Sequence, residues 1–354
     1  MTTDGKTLVK GQFGRKIVVA ASVAALVVTL FVLVFFVSRP LIVIFAGVLL
    51  AVLLRALTNV VHRYTAIPCG VALWIVVLIL LAAVGGFAWF VVSQASGQFE
   101  QLGSGLADAW KRLEDFVSQY GWGRVVLDHV GDGDVSKKGA NIVARVVGGL
   151  VSALSILVVS VFLGLYLAVN PGVYQRGVMR LFPLVHRERA GDIMEKMGIA
   201  LRGWLLGTLF NMMVIGLAIT VSLSLLGIPM ALALGIIAFF LEFIPYLGPI
   251  LSAVPAVLIA SSVGPTEVVY TALLYWAVQS AEGYLLSPLV YQRSVDLPPA
   301  LTLGAQIMLA TLFGVLGLVF ATPLTACALV LVQEAYVEDA LGDPVTSEPE
   351  RSTG

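Results

Sequence analysis

Charge is what this chain lacks most. Only 12% of its 354 residues are Asp, Glu, Lys or Arg, while 59% are apolar, against roughly a quarter charged in an ordinary soluble domain. So few charges cannot clothe a water-soluble fold, and the mean hydropathy of +0.99 agrees. The chain reads as an all-α, polytopic membrane protein solvated by lipid. Lys plus Arg and Asp plus Glu both total 21, so there is no basic excess and no nucleic-acid partner is expected. Cysteine is nearly absent: Cys69 and Cys327 stand too far apart in sequence for a disulfide framework or metal spacing and read as small core residues. The three histidines, His62, His129 and His186, lie in polar segments without zinc-type spacing, so no metal or other cofactor is called for. Enzyme signatures are missing as well. No Gly-x-Ser-x-Gly elbow occurs, Gly5-Lys6-Thr7 has no upstream glycine, and Gly131-Asp132-Gly133-Asp134 has no second aspartate inside an apolar run to complete a protease dyad.

What the chain does have is long apolar runs. Ile17 to Val37 would rise ~31 Å as a helix, enough to cross a bilayer. Charge-free stretches from Pro40 to Leu54, Tyr64 to Phe99, Val146 to Gln175, Gly203 to Leu241, Phe243 to Thr266 and Leu297 to Gln333 supply the rest. About eight spans are expected, near 17–37, 41–56, 68–92, 146–169, 203–226, 230–262, 268–290 and 300–333, with Gly227-Ile228-Pro229 dividing one overlong run. Whether 230–262 is one broken span or a re-entrant hairpin stays open at this level. The organisation is then a cytoplasmic N-terminus (1–16), three spans (17–92), an extracytoplasmic amphipathic region (93–145), a fourth span (146–169), a cytoplasmic helical linker (170–202), a transport core of four spans (203–333) and an acidic tail (334–354). Lysine and arginine set the orientation: Lys6, Lys10, Arg15, Lys16, Arg55, Arg63, Arg176, Arg180, Arg187, Arg189, Lys196 and Arg202 all fall on one side, the cytoplasmic one, as do both termini.

Two amphipathic stretches lie between spans. Phe99, Leu102, Leu106, Trp110, Leu113, Val117 and Tyr120 recur at three- and four-residue steps, the face of an extramembrane helix that lies on the membrane, on the protein's own surface or on another subunit. Tyr174, Val178, Leu181, Val185, Ile193 and Met197 suggest an interfacial helical hairpin, with Asp192 and Lys196 spaced for an i,i+4 pair. Aligning 230–260 with 299–329 at an offset of 69 superposes Ala231, Leu232, Leu234, Gly235, Leu247 and Gly248 on Ala300, Leu301, Leu303, Gly304, Leu316 and Gly317, a weak internal repeat.

The polar residues inside apolar runs are the candidate site. Glu242 and Glu282 are the most deeply embedded acids, and an isolated carboxylate at the bilayer centre costs on the order of 2.5–3.5 kcal/mol. Gln279 shares a helical face with Glu282. Glu242 is followed by Phe243-Ile244-Pro245-Tyr246-Leu247-Gly248-Pro249, where Pro245 and Pro249 remove backbone donors and Gly248 lets the chain bend, so a broken helix over 242–255 is expected. Broken helix at membrane depth lines a cavity or packs in protein. The competing reading is that the acids snorkel to the headgroups. Gly203, Gly207 and Asn211 form a small-residue face with an amide that either packs or faces a pathway; Gly314, Gly317 and Ala321 read as packing, with Pro323 a kink.

Leu241-Glu242-Phe243-Ile244-Pro245-Tyr246-Leu247-Gly248-Pro249-Ile250 resembles the signature of the autoinducer-2 exporter (AI-2E, PerM-like) family, and Leu201-Arg202-Gly203-Trp204-Leu205-Leu206-Gly207, Gln279, Glu282, Pro288, Val295, Pro298, Gly314, Gly317 and Pro323 agree with it in order and spacing. The chain departs from the pattern at Thr208, where glutamine is expected. The resemblance covers about residues 15–335. It implies a homo-oligomer of the bacterial inner membrane, with a pentamer as one form, exporting a small polar solute such as autoinducer-2 or exchanging sodium or lithium for protons. On either activity Glu242, Pro245, Gly248, Pro249, Gln279, Glu282 and Asn211 are the residues expected in the pathway or in ion coupling. A membrane scaffold whose extramembrane helices recruit partners is the remaining alternative.

Overall fold

The computed structural model describes residues 40–65, 67–99, 101–103, 105–106, 158–286, 297–339 and 341. The expected first span, the amphipathic face beyond Leu106, the 131–134 motif, Pro288, Val295 and the tail beyond 342 lie outside them. Every regular element among the described residues is helical. In chain order they are α1 (Pro40–Thr65), α2 (Cys69–Phe90, continued through a π-helical turn at Val91–Ala95 to Gly103), α3 (Val158–Val169), α4 (Pro171–Met179), α5 (Arg187–Leu225), α6 (Ala231–Leu241), α7 (Leu247–Ser261), α8 (Pro265–Ala281, with a π-helical turn Glu282–Leu286) and α9 (Pro299–Leu331, with a π-helical extension Val332–Glu338).

By length and composition four helices among the described residues can cross a bilayer: α1, α2, the helix through α5, and the helix through α9; α3 with α4 makes a fifth if that pair, bent by 88°, is one span. The 88° bend falls where Asn170 leaves helical geometry (φ −131°, ψ 64°) and Pro171 opens the next helix at a position that tolerates its missing donor. Arg55 Nη2 donates to the carbonyl of Val169 at 2.9 Å, satisfying an end that α3 would otherwise leave bare. α1 and α3 touch closely, since a Cβ on Gly164 would lie 2.9 Å from both the Gly47 carbonyl oxygen and Leu50 Cβ. α2 is apolar all round and almost unburied, with Trp74, Leu78, Leu81 and Trp89 facing outward, as suits a helix solvated by lipid. Cys69 at its start is exposed, contrary to the expected core position, while Cys327 is buried as expected. The first turns of the amphipathic face pack inward: Leu102 is buried in the main core, and Phe99 and Leu106 lie against it.

That core is built around α5, 39 residues long and therefore ~58 Å. Ile215, Ile219 and Leu223 of α5 meet Leu234 and Ala238 of α6, Ala256 and Ile259 of α7, and Tyr275 of α8. α5 ends in a Schellman cap: Ile228 N–H donates to Leu223 O at 3.0 Å and Gly227 N–H to Ser224 O at 3.1 Å, with Gly227 at φ 71° and Leu223 and Ile228 both buried in the core. The expected break at 227–229 is therefore present.

The question left open for 230–262 has a geometric answer. Met230 Cε and Ile259 Cδ1 lie 3.4 and 3.2 Å from the position a Cβ would take on Gly105, so the start of α6 and the end of α7 stand side by side. α6 and α7 form a hairpin whose arms of 11 and 15 residues rise only ~16 and ~22 Å, short of a ~30 Å hydrocarbon core. α9 is also interrupted. Gly314 has φ 64° and ψ −145°, outside helical geometry, and a Cβ on Gly317 would strike the Leu309 carbonyl. In a straight helix eight residues span ~12 Å, so the chain turns sharply there. Gly314 and Gly317 thus make a reversal rather than a packing face, and the expected kink falls at Gly314 and not at Pro323.

Candidate functional site

The reversal between α6 and α7 occupies only residues 242–246, narrower than the expected 242–255. Pro249 is the third residue of α7, where an N–H has no helical partner to lose, so it starts the helix instead of breaking it; Pro255 is carried inside α7. The turn itself is tight. Tyr246 has φ 65° and ψ −50°, and Leu247 N–H donates back to the Pro245 carbonyl at 2.8 Å, which defines a γ-turn of the rare, strained hand centred on a tyrosine. Gly248 N–H donates to Ile244 O at 2.9 Å, and a Cβ at 248 would be driven into the Leu241 carbonyl, so only glycine fits. The seven-residue motif is the fold of this turn.

Glu242 caps the end of α6 and is buried, at 8% relative exposure. Phe243 beside it packs edge-on against Trp204 of α5, ring centroids 5.4 Å apart, which fixes the turn against that helix. Glu282 opens the π-helical turn that follows α8, a distortion frequent at functional sites. Its two oxygens are divided between two amides: Asn211 Nδ2 donates to Oε1 at 2.9 Å and Gln279 Nε2 to Oε2 at 2.9 Å. Gln279 and Glu282, three residues apart on one face, are therefore hydrogen-bonded, and Asn211 reaches the same carboxylate from α5. Thr208, one turn before Asn211, is buried on the same helix. Asn211, Gln279 and Glu282 are thus joined by hydrogen bonds, while Glu242, Pro245, Gly248 and Pro249 belong to the turn that packs on Trp204, two turns before Asn211 on α5. With an amide donor on each oxygen, the Glu282 carboxylate is held in a fixed orientation.

Two residues escaped the sequence reading. Gln306, in the first arm of α9 and fully buried, donates Nε2 to the Pro245 carbonyl at 3.0 Å, joining α9 to the γ-turn. It was findable as the sole amide in the apolar run 298–332. Tyr246 stands in the sequence only as one letter of the motif, and its positive φ leaves no trace there. Among the described residues no protein group pairs with the buried Asn211 Oδ1 or Gln306 Oε1.

A second polar cluster lies at the far end of α5. Arg189 pairs with Glu334 at 3.1 Å, Glu338 at 3.1 Å and Asp339 at 3.0 Å, and Lys196 pairs with Glu334. The hydrogen bond to Asp339, then that to Glu338, holds the Arg189 guanidinium above its ordinary range. Lys196 therefore finds Glu334 rather than the expected Asp192, because the last described helix runs alongside this turn of α5 and offers an acid at 11% side-chain exposure. No group of three or more His, Cys, Asp or Glu suited to a metal occurs among the described residues.

The model of the AI-2E family transporters matches residues 23–337. The chain belongs to that family. Among curated proteins it is 29% identical over 171 residues to YrrI of Bacillus subtilis (strain 168), covering 48% of each chain. It is 27% identical over 179 residues to YueF of the same organism, covering 50% of this chain and 48% of that one. A Mycobacterium tuberculosis relative is 28% identical over 275 residues, 73% of each chain. The match thus spans about half the length of the two Bacillus relatives. All three relatives carry the name of transport proteins, without a substrate. This AI-2E protein is accordingly a multi-pass membrane protein of a transporter family.

Proposed function

We propose that this AI-2E protein is a secondary transporter of the bacterial inner membrane that exports a small polar solute such as autoinducer-2, with Glu282 as the coupling carboxylate and Glu242 beside it at the hairpin turn. One observation carries the reading: Glu282 is clamped by Asn211 and Gln279 next to a helix reversal made of two arms too short to cross. Non-helical backbone at membrane depth lines a cavity or packs in protein, and intramembrane carboxylates are retained for a task. The protein keeps eight membrane-embedded segments with both termini cytoplasmic, and works as a homo-oligomer. In this arrangement the spans 17–37 and 146–169 cross together with α1, α2, α5 and α8; α6–α7 re-enters from outside; and α9 returns to the inside, where Glu334 meets Arg189 and Lys196. Charge supports the orientation, because Arg55, Arg63 and the basic 176–202 stretch share that side.

The test is flux in proteoliposomes loaded with autoinducer-2 under an imposed pH or sodium gradient. Glu282→Gln keeps size and hydrogen bonding but removes titration; it should cut gradient-driven efflux at least tenfold while the protein still inserts. Glu267→Gln, at the first turn of α8, should leave efflux within twofold. Wild-type efflux and gradient dependence in Glu282→Gln would remove the coupling role. A second reading, sodium or lithium exchange for protons, is favoured by the buried amide oxygens of Asn211 and Gln306, acceptors without a described protein partner in the same region as the carboxylates. Sodium flux driven by a pH gradient with no organic solute present would select it.

A further inference from the structure

Gln306 has a chemistry that packing alone does not explain. A backbone carbonyl only accepts, so the amide must turn Nε2 toward Pro245 O, and this fixes Oε1 on the other side, buried and without a described protein partner. An apolar side chain of the same shape would avoid burying an unmet acceptor. What the amide uniquely supplies is its donor, and the carbonyl that receives it belongs to the strained γ-turn at Tyr246, where Leu247 N–H is the other donor to the same oxygen. Gln306 also comes from the second interrupted helix, eight residues before the reversal at Gly314. The sequence repeat at offset 69 equates Gly248 with Gly317, and each of these glycines is the residue that would collide with a carbonyl of the preceding arm, Leu241 or Leu309. Two broken helices of like construction therefore meet through one hydrogen bond.

We propose that Gln306 is the positioning residue of the transport site: its amide holds the Pro245 turn of the α6–α7 hairpin, and with it Glu242 three residues before, in place, and so ties the hairpin to the interrupted helix α9. The inference rests on the transport reading only for its functional half. Gln306→Leu removes the donor together with the orphaned acceptor, so the variant should insert, and melt in detergent at or above the wild-type temperature. Backbone hydrogen exchange in the peptide spanning 243–250 should accelerate at least tenfold, with no change in peptides of α1. In proteoliposomes the concentration of autoinducer-2, or of sodium, at half-maximal flux should rise at least tenfold while the maximal rate falls less than threefold, since the carboxylates remain but are held out of register. Gln306→Glu, which protonated can donate as the amide does, should lie closer to wild type below pH 6 than at pH 8. Unchanged exchange at 243–250 in Gln306→Leu overturns the proposal whatever the flux shows. Accelerated exchange with unchanged half-saturation overturns it too, leaving a structural bond. If the wild type moves neither cargo, the transport reading fails, and the exchange result still decides whether Gln306 holds the turn.

Discussion

Gly248 and Tyr246 carry opposite burdens within one turn. Gly248 is required by space, because any Cβ would meet the Leu241 carbonyl; Tyr246 adopts a positive φ that L side chains disfavour by ~1–2 kcal/mol. Gly248→Ala should therefore destabilise the protein by ~1–3 kcal/mol, the usual cost of overpacking a close contact, read as a lower melting temperature in detergent. Gly86→Ala is the control. A Cβ there meets nothing within 4 Å and the residue is mid-helix, so alanine should be neutral or stabilise by ~0.5–1 kcal/mol. Equal melting temperatures for Gly248→Ala and wild type would mean that the turn is not closed in the membrane.

Among the elements, the C-terminal extension of α9 is held to the first turns of α5 by Arg189 and Lys196. Exposed ion pairs are weak one by one, but Arg189 meets three acids at once, so its loss should be felt locally rather than globally. Arg189→Gln should speed hydrogen exchange across 332–339 several-fold at low salt and leave the α6–α7 arms unchanged; 0.5 M salt should move the wild type in the same direction. Indistinguishable exchange in the two proteins would show that α9 packing alone fixes this segment. Much of the element plan was legible in the sequence. Gly227 announced the cap of α5, and Glu242 to Pro249 announced a break, because a missing donor and a missing Cβ act locally. Pairings across many residues were not legible. Lys196 has an equally good i,i+4 acid in Asp192, and nothing in the spacing says that Glu334, 138 residues away, wins. Gln306 and Pro245, 61 residues apart, meet only because two helices reverse. Gly314 reads as a packing residue for the same reason: small size serves a close helix contact and a positive φ alike.

At the scale of the whole molecule, the reversal of α6–α7 makes a topological prediction that a simple count of apolar runs does not. Single cysteines replacing Ser136 and Ser262 should both label from the extracytoplasmic side, and one replacing Arg187 only from the cytoplasmic side, assayed with a membrane-impermeant maleimide on oriented vesicles. Ser262 labelled from the cytoplasm would turn the hairpin into a crossing and invert everything after it.

The contact between α1 and α3 also has a schedule. Arg55 donates to Val169, a residue 114 positions later, and Ser160 to Val43, 117 positions earlier. At ~5–20 residues per second of synthesis, α1 waits roughly 6–23 s in the bilayer before the carbonyl that receives Arg55 exists. During that interval the guanidinium can be satisfied only by water and lipid phosphates at the surface, so the long side chain acts as a mooring that keeps α1 from sliding inward. The Gly47 face meanwhile has no helix to close on. An Arg55→Leu chain should therefore show its defect in the yield of correctly inserted protein, more than in the melting temperature of the molecules that succeed.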